Sequence, residues 1–122
     1  MTPLQTGFKR GEIRLANLNP SRGTETGKTR PCLIVQCDEL NEAGQYSTVI
    51  LPLTSQLVAD GAPLRFHISK RDKLSTDSDI MVDQIRTIDN RRFTGSPLTV
   101  LSVAELTSIE EYLKIILGIS DH

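Results

Sequence analysis

Apolar and polar residues alternate along much of the chain, which is the pattern of short β-strands with one buried face. The segment EIRLANL (12–18) places alternate residues on opposite faces, with Ile13, Leu15 and Asn17 on one and Arg14, Ala16 and Leu18 on the other. CLIVQC (32–37) and YSTVILPL (46–53) are apolar runs rich in β-branched residues, joined by the polar stretch DELNEAGQ. We expect these two runs to form a hairpin.

Two further segments, LRFHI (64–68) and IMVDQIRTI (80–88), also have strand character. The stretches between strands are polar or rich in glycine and proline, which predicts loops at 19–31 and 54–63. The polar run KRDKLSTDSD (70–79) is predicted to be a mobile connection.

The C-terminal segment changes to a helical period. Ser102 and Glu105 form the S-x-x-E pattern of a capping box. One apolar stripe follows at spacings of three and four residues, formed by Leu106, Ile109, Leu113 and Ile116. This predicts a helix from about 103 to 117 that ends near Gly118. Ile115 and Ile119 lie off the stripe, either on a partner surface or buried within the domain.

Five or six short strands, long loops and one terminal helix predict a mainly β fold, a small, strongly bent antiparallel barrel with a C-terminal α-helix. The 122 residues are expected to form a single domain, 1–122. No apolar run approaches the roughly 18 residues of a membrane span, and the N-terminus lacks the apolar core of a signal peptide. We therefore expect a soluble, cytoplasmic protein that does not bind membranes.

The residues that commonly bind metals are few. Cys32 and Cys37 are expected on opposite faces of one strand, about 16 Å apart, too far for a disulfide. The only histidines are His67, expected to be a structural strand residue, and the terminal His122. The sequence predicts no metal site and no cofactor.

The charge is unevenly distributed, although the net charge is only −1. Residues 1–31 carry six basic and two acidic side chains, a balance of +4, and the remainder carries eight basic and thirteen acidic, a balance of −5. Such a chain can present a basic face to a polyanion, or the clustering can simply belong to a solvated surface.

The first loop contains GTETGKT (23–29), which is similar to a phosphate-binding P-loop. The P-loop requires four residues between its glycines, and this segment has three. A strand-like segment follows it, whereas a P-loop leads into a helix. We therefore exclude nucleoside triphosphate binding. No serine–histidine pair with recognisable spacing is present either.

The remaining candidates lie in the first two loops. Arg30 precedes Pro31 where the first loop enters a strand, and Thr54 stands where the third strand ends. If these strands pair, both side chains lie at the same end of the sheet. An arginine fork and a hydroxyl suit a phosphodiester, because the arginine binds two oxygens and offsets charge that develops in the transition state.

Several blocks of the sequence, in order, resemble the MazF/PemK-type toxins of bacterial toxin–antitoxin systems. These blocks are R-G-E-I (10–13), N-P (19–20), G-T-E (23–25), R-P (30–31), P-L-T-S (52–55) and D-Q-I-R-T-I-D (83–89). The resemblance covers about residues 9–118. It implies an SH3-like, CcdB/MazF-like barrel, a homodimer, and inhibition by a cognate antitoxin protein. It also implies metal-independent, sequence-specific cleavage of single-stranded RNA by 2′-OH attack, which leaves 2′,3′-cyclic phosphate and 5′-OH ends.

The resemblance also implies roles for individual residues. Arg30 matches the catalytic arginine of the family, whose role is charge stabilisation or proton transfer to the leaving oxygen. Thr54 matches the catalytic threonine, and Glu25 matches a loop glutamate that either acts as a base or structures the loop. Candidate RNA contacts in or next to the matched blocks are Arg22, Lys28, Ser55, Gln56 and Gln84. For Gln84, a structural or interface role is the alternative.

The sequence departs from the family pattern in one respect that concerns RNA. The aromatic residue often found in the first strand or loop is absent, with Leu15 and Asn17 in that stretch, which leaves the base preference open. Two other functions remain: a CcdB-like gyrase-binding toxin without catalysis, and an inactive binding member of the same fold. Arg30 and Thr54 favour the nuclease, and the C-terminus lacks the Trp-Gly-Ile ending of the gyrase poisons.

Overall fold

The computed structural model describes residues 7–20, 22–24 and 27–120. Within these residues the chain forms seven antiparallel strands and two helices: β1 (Glu12–Asn17), β2 (Thr29–Ile34), α1 (Asp38–Glu42), β3 (Ser47–Thr54), β4 (Arg65–Ile68), β5 (Ser78–Met81), β6 (Arg86–Asp89), β7 (Phe93–Val100) and α2 (Val103–Leu117). The strand order is β4-β5-β3-β2-β1-β7, and β6 also pairs with β3. The mainly β class with a C-terminal helix is confirmed, although the pairings between described strands do not close the barrel.

The central strands are buried on both faces, which explains why they are continuous apolar runs. In β2, Leu33 packs in a cluster with Leu51, Ile80 and Ile109, under helix α2. Its neighbours Cys32 and Ile34 point the other way, into a second cluster with Ala16, Leu18, Ile50, Ile88 and the aromatic pair Phe8 and Phe93. Successive side chains of a strand alternate between faces, so a sheet with a core on each side needs an unbroken apolar sequence.

The predicted hairpin is confirmed, with shifted bounds. Strands β2 and β3 pair antiparallel, with Cys32 opposite Pro52 and Ile34 opposite Ile50. Strand β2 begins at Thr29 rather than at Cys32, because Thr29 and Arg30 continue the ladder with β1 opposite Asn17 and Ala16. The polar connection predicted between the strands contains the short helix α1.

The prediction of a single strand over 80–88 is wrong in its continuity, because the structure has two strands there. Both β5 and β6 pair with β3, but a 3-10 turn at Val82–Gln84 separates them. The apolar pattern continues through this turn, since Val82 is fully buried. Periodicity alone therefore did not reveal the interruption.

Strand β7 was not predicted, because Gly95 and Pro97 give its sequence the character of a loop. The pairing of β7 with β1 explains how both residues fit. Ile13 lies opposite Thr99 and Leu15 opposite Thr94, so the register shifts where β7 carries its extra residues. Gly95 has a φ of 73° in this bulge, a conformation that glycine adopts without strain.

Helix α2 is confirmed with the predicted ends. Ser102 and Glu105 form both bonds of the capping box, and Gly118 ends the helix in the left-handed conformation. Ile109 is fully buried, whereas Ile115 and Ile119 are more than half exposed, which excludes their burial within the described fold. No helix in the described ranges is long and apolar enough to cross a bilayer.

The first block of the resemblance, R-G-E-I, joins the sheet to the helices. Arg10 donates through Nη2 to Glu110 of α2 at 2.8 Å, and its backbone N–H donates to Asp38 of α1 at 2.8 Å. Gly11 has a φ of 95°, and a Cβ there would lie 3.0 Å from Leu106 Cδ1. The glycine is therefore required both by its backbone conformation and by the close approach of α2.

Candidate active site

The ends of β2 and β3 form one wall of an open cleft of about 310 Å³. Its described lining contains three basic side chains, six hydroxyl side chains and no carboxylate: Leu15, Lys28, Thr29, Arg30, Pro31, Leu53, Thr54, Ser55, Lys73, Leu74, Ser75, Thr76, Ser78 and Leu98. Positive charge together with many hydroxyl donors suits a phosphate-bearing ligand.

The backbone of the loop and of β3 holds the Arg30 side chain in place. Arg30 donates through Nε to the carbonyl oxygen of Gly27 at 3.0 Å and through Nη1 to that of Leu53 at 3.2 Å. These bonds use two of the five N–H donors of a guanidinium, and the other three suffice for a bidentate contact with a phosphate. The predicted meeting of Arg30 and Thr54 at one end of the sheet is thus present in the structure.

Partial burial also changes the acidity of this arginine. Desolvation lowers the pKa of Arg30 below the ordinary value. A less hydrated guanidinium interacts more strongly with an anion that displaces the remaining water. The environment therefore favours charge stabilisation by Arg30.

Thr54 is the last residue of β3, and only 7% of it is exposed. Its Oγ1 accepts a hydrogen bond from the backbone N–H of Gln56 at 3.1 Å. This bond fixes the hydroxyl oxygen while leaving its own proton available for donation to a ligand. Thr54 therefore presents an oriented hydroxyl beside the arginine.

The other predicted site residues divide into three groups. Lys28 and Ser55 line the cleft with Arg30 and Thr54. Gln56 contacts this group through its backbone N–H, which donates to the Thr54 hydroxyl. Arg22 is exposed and Gln84 lies in the 3-10 turn that contacts α2, and neither is part of the described lining. Glu25 lies outside the described residues.

Another part of the cleft lining comes from the segment predicted to be a mobile connection. Lys73 donates its backbone N–H to Leu98 at 3.0 Å, and the neighbouring Arg71 makes a two-pronged ion pair with Glu105 at 2.8 and 2.9 Å. These bonds tie the segment to β7 and α2, and they present Lys73, Ser75 and Thr76 to the cleft. The sequence signal that could have identified this part of the cleft was its composition, a lysine and several hydroxyl residues, which is similar to that of the first loop.

The remaining polar candidates have structural partners. His67 lies on β4 as expected, with Nδ1 3.1 Å from Oδ1 of Asp79. Across residues 7–20, 22–24 and 27–120, no group of three His, Cys, Asp or Glu side chains is arranged to hold a metal ion.

The two cysteines are expected to differ sharply in reactivity. Burial raises the pKa of Cys32 to about 12, and its Sγ lies 3.5 Å from the carbonyl oxygen of Arg30, whereas Cys37 is exposed. Because the thiolate is the reactive species, we expect Cys32 in the folded protein to react with a disulfide reagent at least about a hundredfold more slowly than Cys37. Titration of the native protein should give one fast equivalent, and Cys37→Ser should remove it. Two fast equivalents would contradict the buried position of Cys32.

Comparison with known proteins relates the sequence to one family. Residues 9–117 match the family described as PemK-like, MazF-like toxin of type II toxin–antitoxin system. The chain is 33% identical over 115 residues to the protein named Endoribonuclease MazF from Staphylococcus epidermidis, covering 93% of this chain and 94% of that protein.

Solved structures show the same fold. MazF from Deinococcus radiodurans matches with a TM-score of 0.74 and 22% identity, covering 97% of this chain and 100% of that one. A structure titled endoribonuclease in complex with its cognate antitoxin, from a mycobacterial species, matches with a TM-score of 0.74 and 21% identity, covering 95% of this chain and 100% of that one.

The fold of the chain is that of the MazF structures that it matches. The chain belongs to the PemK-like, MazF-like family of type II toxin–antitoxin systems.

Proposed function

We propose that this toxin is an endoribonuclease that cleaves single-stranded RNA at specific sequences and thereby inhibits translation and growth. The observation that carries the proposal is that Arg30 and Thr54 meet in one cleft whose described lining has three cations and no carboxylate. The relative from Staphylococcus epidermidis, which is similar over nearly the whole chain, is named an endoribonuclease. The chain would act as a single toxin domain.

The cleft supports a reaction in which the RNA supplies the nucleophile. The 2′-oxygen attacks the adjacent phosphorus, forming a P–O2′ bond while the P–O5′ bond breaks. The 2′ proton passes to solvent or to a loop base, and the leaving 5′-oxygen takes a proton from solvent or from Arg30, which solvent then reprotonates. Arg30 offsets the charge on the phosphoryl oxygens, and the Thr54 hydroxyl holds the phosphate or orients the 2′-hydroxyl. Glu25, in the first loop, is our candidate for the base.

The remaining parts of the cleft would bind RNA around the cut. Lys28 precedes Arg30 in the sequence, Lys73 follows it, and both side chains line the same cleft. Both can therefore contact the phosphates next to the one that is cleaved. Ser55 and Gln56, together with Arg22 of the first loop, are candidates for further contacts. Among the described lining no aromatic side chain is present, so base recognition would rest on hydrogen bonds rather than on stacking.

The proposal includes the setting in which the toxin works. We expect a cytoplasmic homodimer that is neutralised by a cognate antitoxin, since mRNA is cytoplasmic and the mycobacterial relative is solved with its own antitoxin. The exposed Ile115 and Ile119 of the C-terminal helix region remain candidates for a partner surface.

Purified, antitoxin-free protein should cut a long RNA of mixed sequence in the presence of EDTA. We expect discrete cuts within one short sequence context, with 5′-hydroxyl and 2′,3′-cyclic phosphate ends, because the proposed chemistry uses no metal. Mapping the ends by sequencing measures both the chemistry and the specificity. Thr54→Val, which replaces the hydroxyl with a methyl group of similar size, is the matched low-activity control and should lower cleavage by about a hundredfold.

Two results would contradict this function. Intact RNA after incubation with folded protein would shift the assignment to a CcdB-like gyrase-binding toxin or an inactive member, and a gyrase supercoiling assay would separate these two. Cleavage that disappears in EDTA and returns with a divalent metal would exclude the metal-independent mechanism.

A further inference from the structure

A buried carboxylate lies directly beside the candidate catalytic threonine. Asp79 of β5 is the register partner of Thr54 across the β3–β5 pair, and it is also opposite His67 across the β4–β5 pair. Its side chain is only 1% exposed. Burying a carboxylate is costly, so its partners indicate what the charge does there.

The partners of Asp79 belong to the loop that follows Thr54 and to strand β4. Oδ2 accepts from the backbone N–H of Val58 at 2.9 Å and from Nη1 of Arg65 at 3.3 Å. Oδ1 lies 3.1 Å from Nδ1 of His67. One carboxylate thus binds the loop backbone directly and also orients an arginine next to that loop.

Arg65 extends this contact to the hydroxyl of Thr54. Its Nη1 also donates to the carbonyl oxygen of Gln56 at 3.1 Å, and the N–H of Gln56 donates to Thr54 Oγ1 at 3.1 Å. The backbone of Gln56 is therefore held at its carbonyl by Arg65 and holds Thr54 with its N–H. A continuous set of hydrogen bonds connects Asp79 to the hydroxyl that would contact RNA.

Packing does not hold this loop in place. Every residue from 55 to 60 is exposed, including Leu57 and Val58, which are about half exposed. Polar contacts with Asp79 and Arg65 therefore determine its conformation. Gly61 permits this arrangement, since a Cβ there would lie 2.7 Å from Cβ of Arg65.

We infer that Asp79, acting through Arg65 and the 56–58 backbone, is a positioning residue that orients the Thr54 hydroxyl for RNA cleavage. The inference rests on the proposed endoribonuclease function. It adds a residue that touches neither the cleft nor the substrate, and it assigns the buried charge a role in turnover rather than in affinity. His67 binds the other oxygen of the same carboxylate and makes no contact with the loop in this set, so it provides an internal control.

The test compares kcat and KM on a short RNA containing the mapped cleavage site. Asp79→Asn and Arg65→Met should each lower kcat by on the order of tenfold, with KM changed less than about threefold, because the hydroxyl is misplaced while the phosphate contacts remain. Arg65→Lys should recover part of the loss, since an ammonium can still join the carboxylate and the loop carbonyl. His67→Ala, the matched control, should stay within about twofold of wild type.

Thermal unfolding and amide hydrogen exchange accompany the kinetics. Faster exchange of the Gln56 and Val58 amides in Arg65→Met, without a general loss of protection, would support positioning. Unchanged kcat in Arg65→Met and Asp79→Asn would overturn the inference, as would an equal loss in His67→Ala. Arg65 is a quarter exposed, so Arg65→Met decides the matter even if Asp79→Asn does not fold.

Failure of the proposed function gives a different result. Wild-type protein that leaves RNA intact would refute the endoribonuclease assignment, and the positioning of Thr54 for cleavage would fall with it. Unchanged amide exchange in Arg65→Met would then also show that these contacts do not fix the loop.

Discussion

Replacing Arg30 with alanine should lower the rate of RNA cleavage by about a hundredfold to a thousandfold, which is the usual cost of removing one preorganised donor from a transition state. The two hydrogen bonds to backbone carbonyl oxygens hold the Arg30 side chain in one orientation, so its remaining N–H groups are preorganised donors. The lysine side chains of the cleft cannot replace it, because an ammonium lacks the planar fork that binds two phosphate oxygens at once. Single-turnover cleavage of the mapped RNA measures the loss.

Two variants make this result interpretable. Arg30→Lys keeps the charge and loses the fork, so we expect a rate between those of wild type and Arg30→Ala. Arg91→Ala, which removes an exposed arginine paired with Asp89 outside the cleft, should cleave like wild type. A folded Arg30→Ala protein with full activity would refute the mechanism.

The lysine variant also separates the two roles that the sequence left open for Arg30. Burial lowers the pKa of its guanidinium, which eases proton donation, but a guanidinium remains protonated near neutral pH. A lysine is the better general acid and the poorer bidentate ligand. Higher activity in Arg30→Lys than in wild type would therefore indicate proton transfer, and lower activity indicates charge stabilisation.

The sequence predicted the positions of residues best where local chemistry decides the structure. Arg30 is restricted by Pro31, and Thr54 ends an apolar strand, so their meeting required only that two neighbouring strands pair. The capping box of α2 was equally local, since Ser102 and Glu105 satisfy each other's backbone donors.

The parts that the sequence did not predict depend on contacts between distant segments. The 70–79 segment is ordered by bonds from Arg71 to Glu105, 34 residues away, and its polar composition gave no sign of them. Likewise β7 is a strand because β1 supplies its ladder, although Gly95 and Pro97 argue against a strand locally. In the sequence, Asp79 is one of several acidic residues in a polar segment, which indicates an exposed position. Only the fold shows that it is buried next to Thr54.

The largest expected loss of stability comes from the R-G-E-I block and its neighbour Arg14. On β1, Glu12 and Arg14 point to the same face and form an ion pair, with Arg14 Nε 3.0 Å from Glu12 Oε1 and both side chains only about a tenth exposed. Arg14 also donates to the carbonyl oxygen of Gly95 at 3.2 Å and lies 4.9 Å from the ring centroid of Phe8. One arginine thus connects the first strand, the β7 bulge and the second apolar cluster.

Arg14→Ala should lower the free energy of unfolding by about 3 kcal/mol, because it leaves the Glu12 carboxylate buried without its cation. Among the described residues, only the backbone N–H of Lys9, which donates to Glu12 Oε1 at 3.0 Å, would remain as a partner of this carboxylate. Urea unfolding at one fixed protein concentration measures the change, since association would otherwise alter the apparent stability.

The double variant Glu12→Leu/Arg14→Met shows whether the loss comes from the orphaned charge. Apolar side chains of similar volume should restore much of the stability, because the cost of burying two charges disappears together with their attraction. A double variant as unstable as the sum of Glu12→Leu and Arg14→Met would contradict this account. Because neither residue lines the cleft, the folded fraction of Arg14→Ala should retain the cleavage rate of wild type, which separates support of the fold from the chemistry of Arg30 and Thr54.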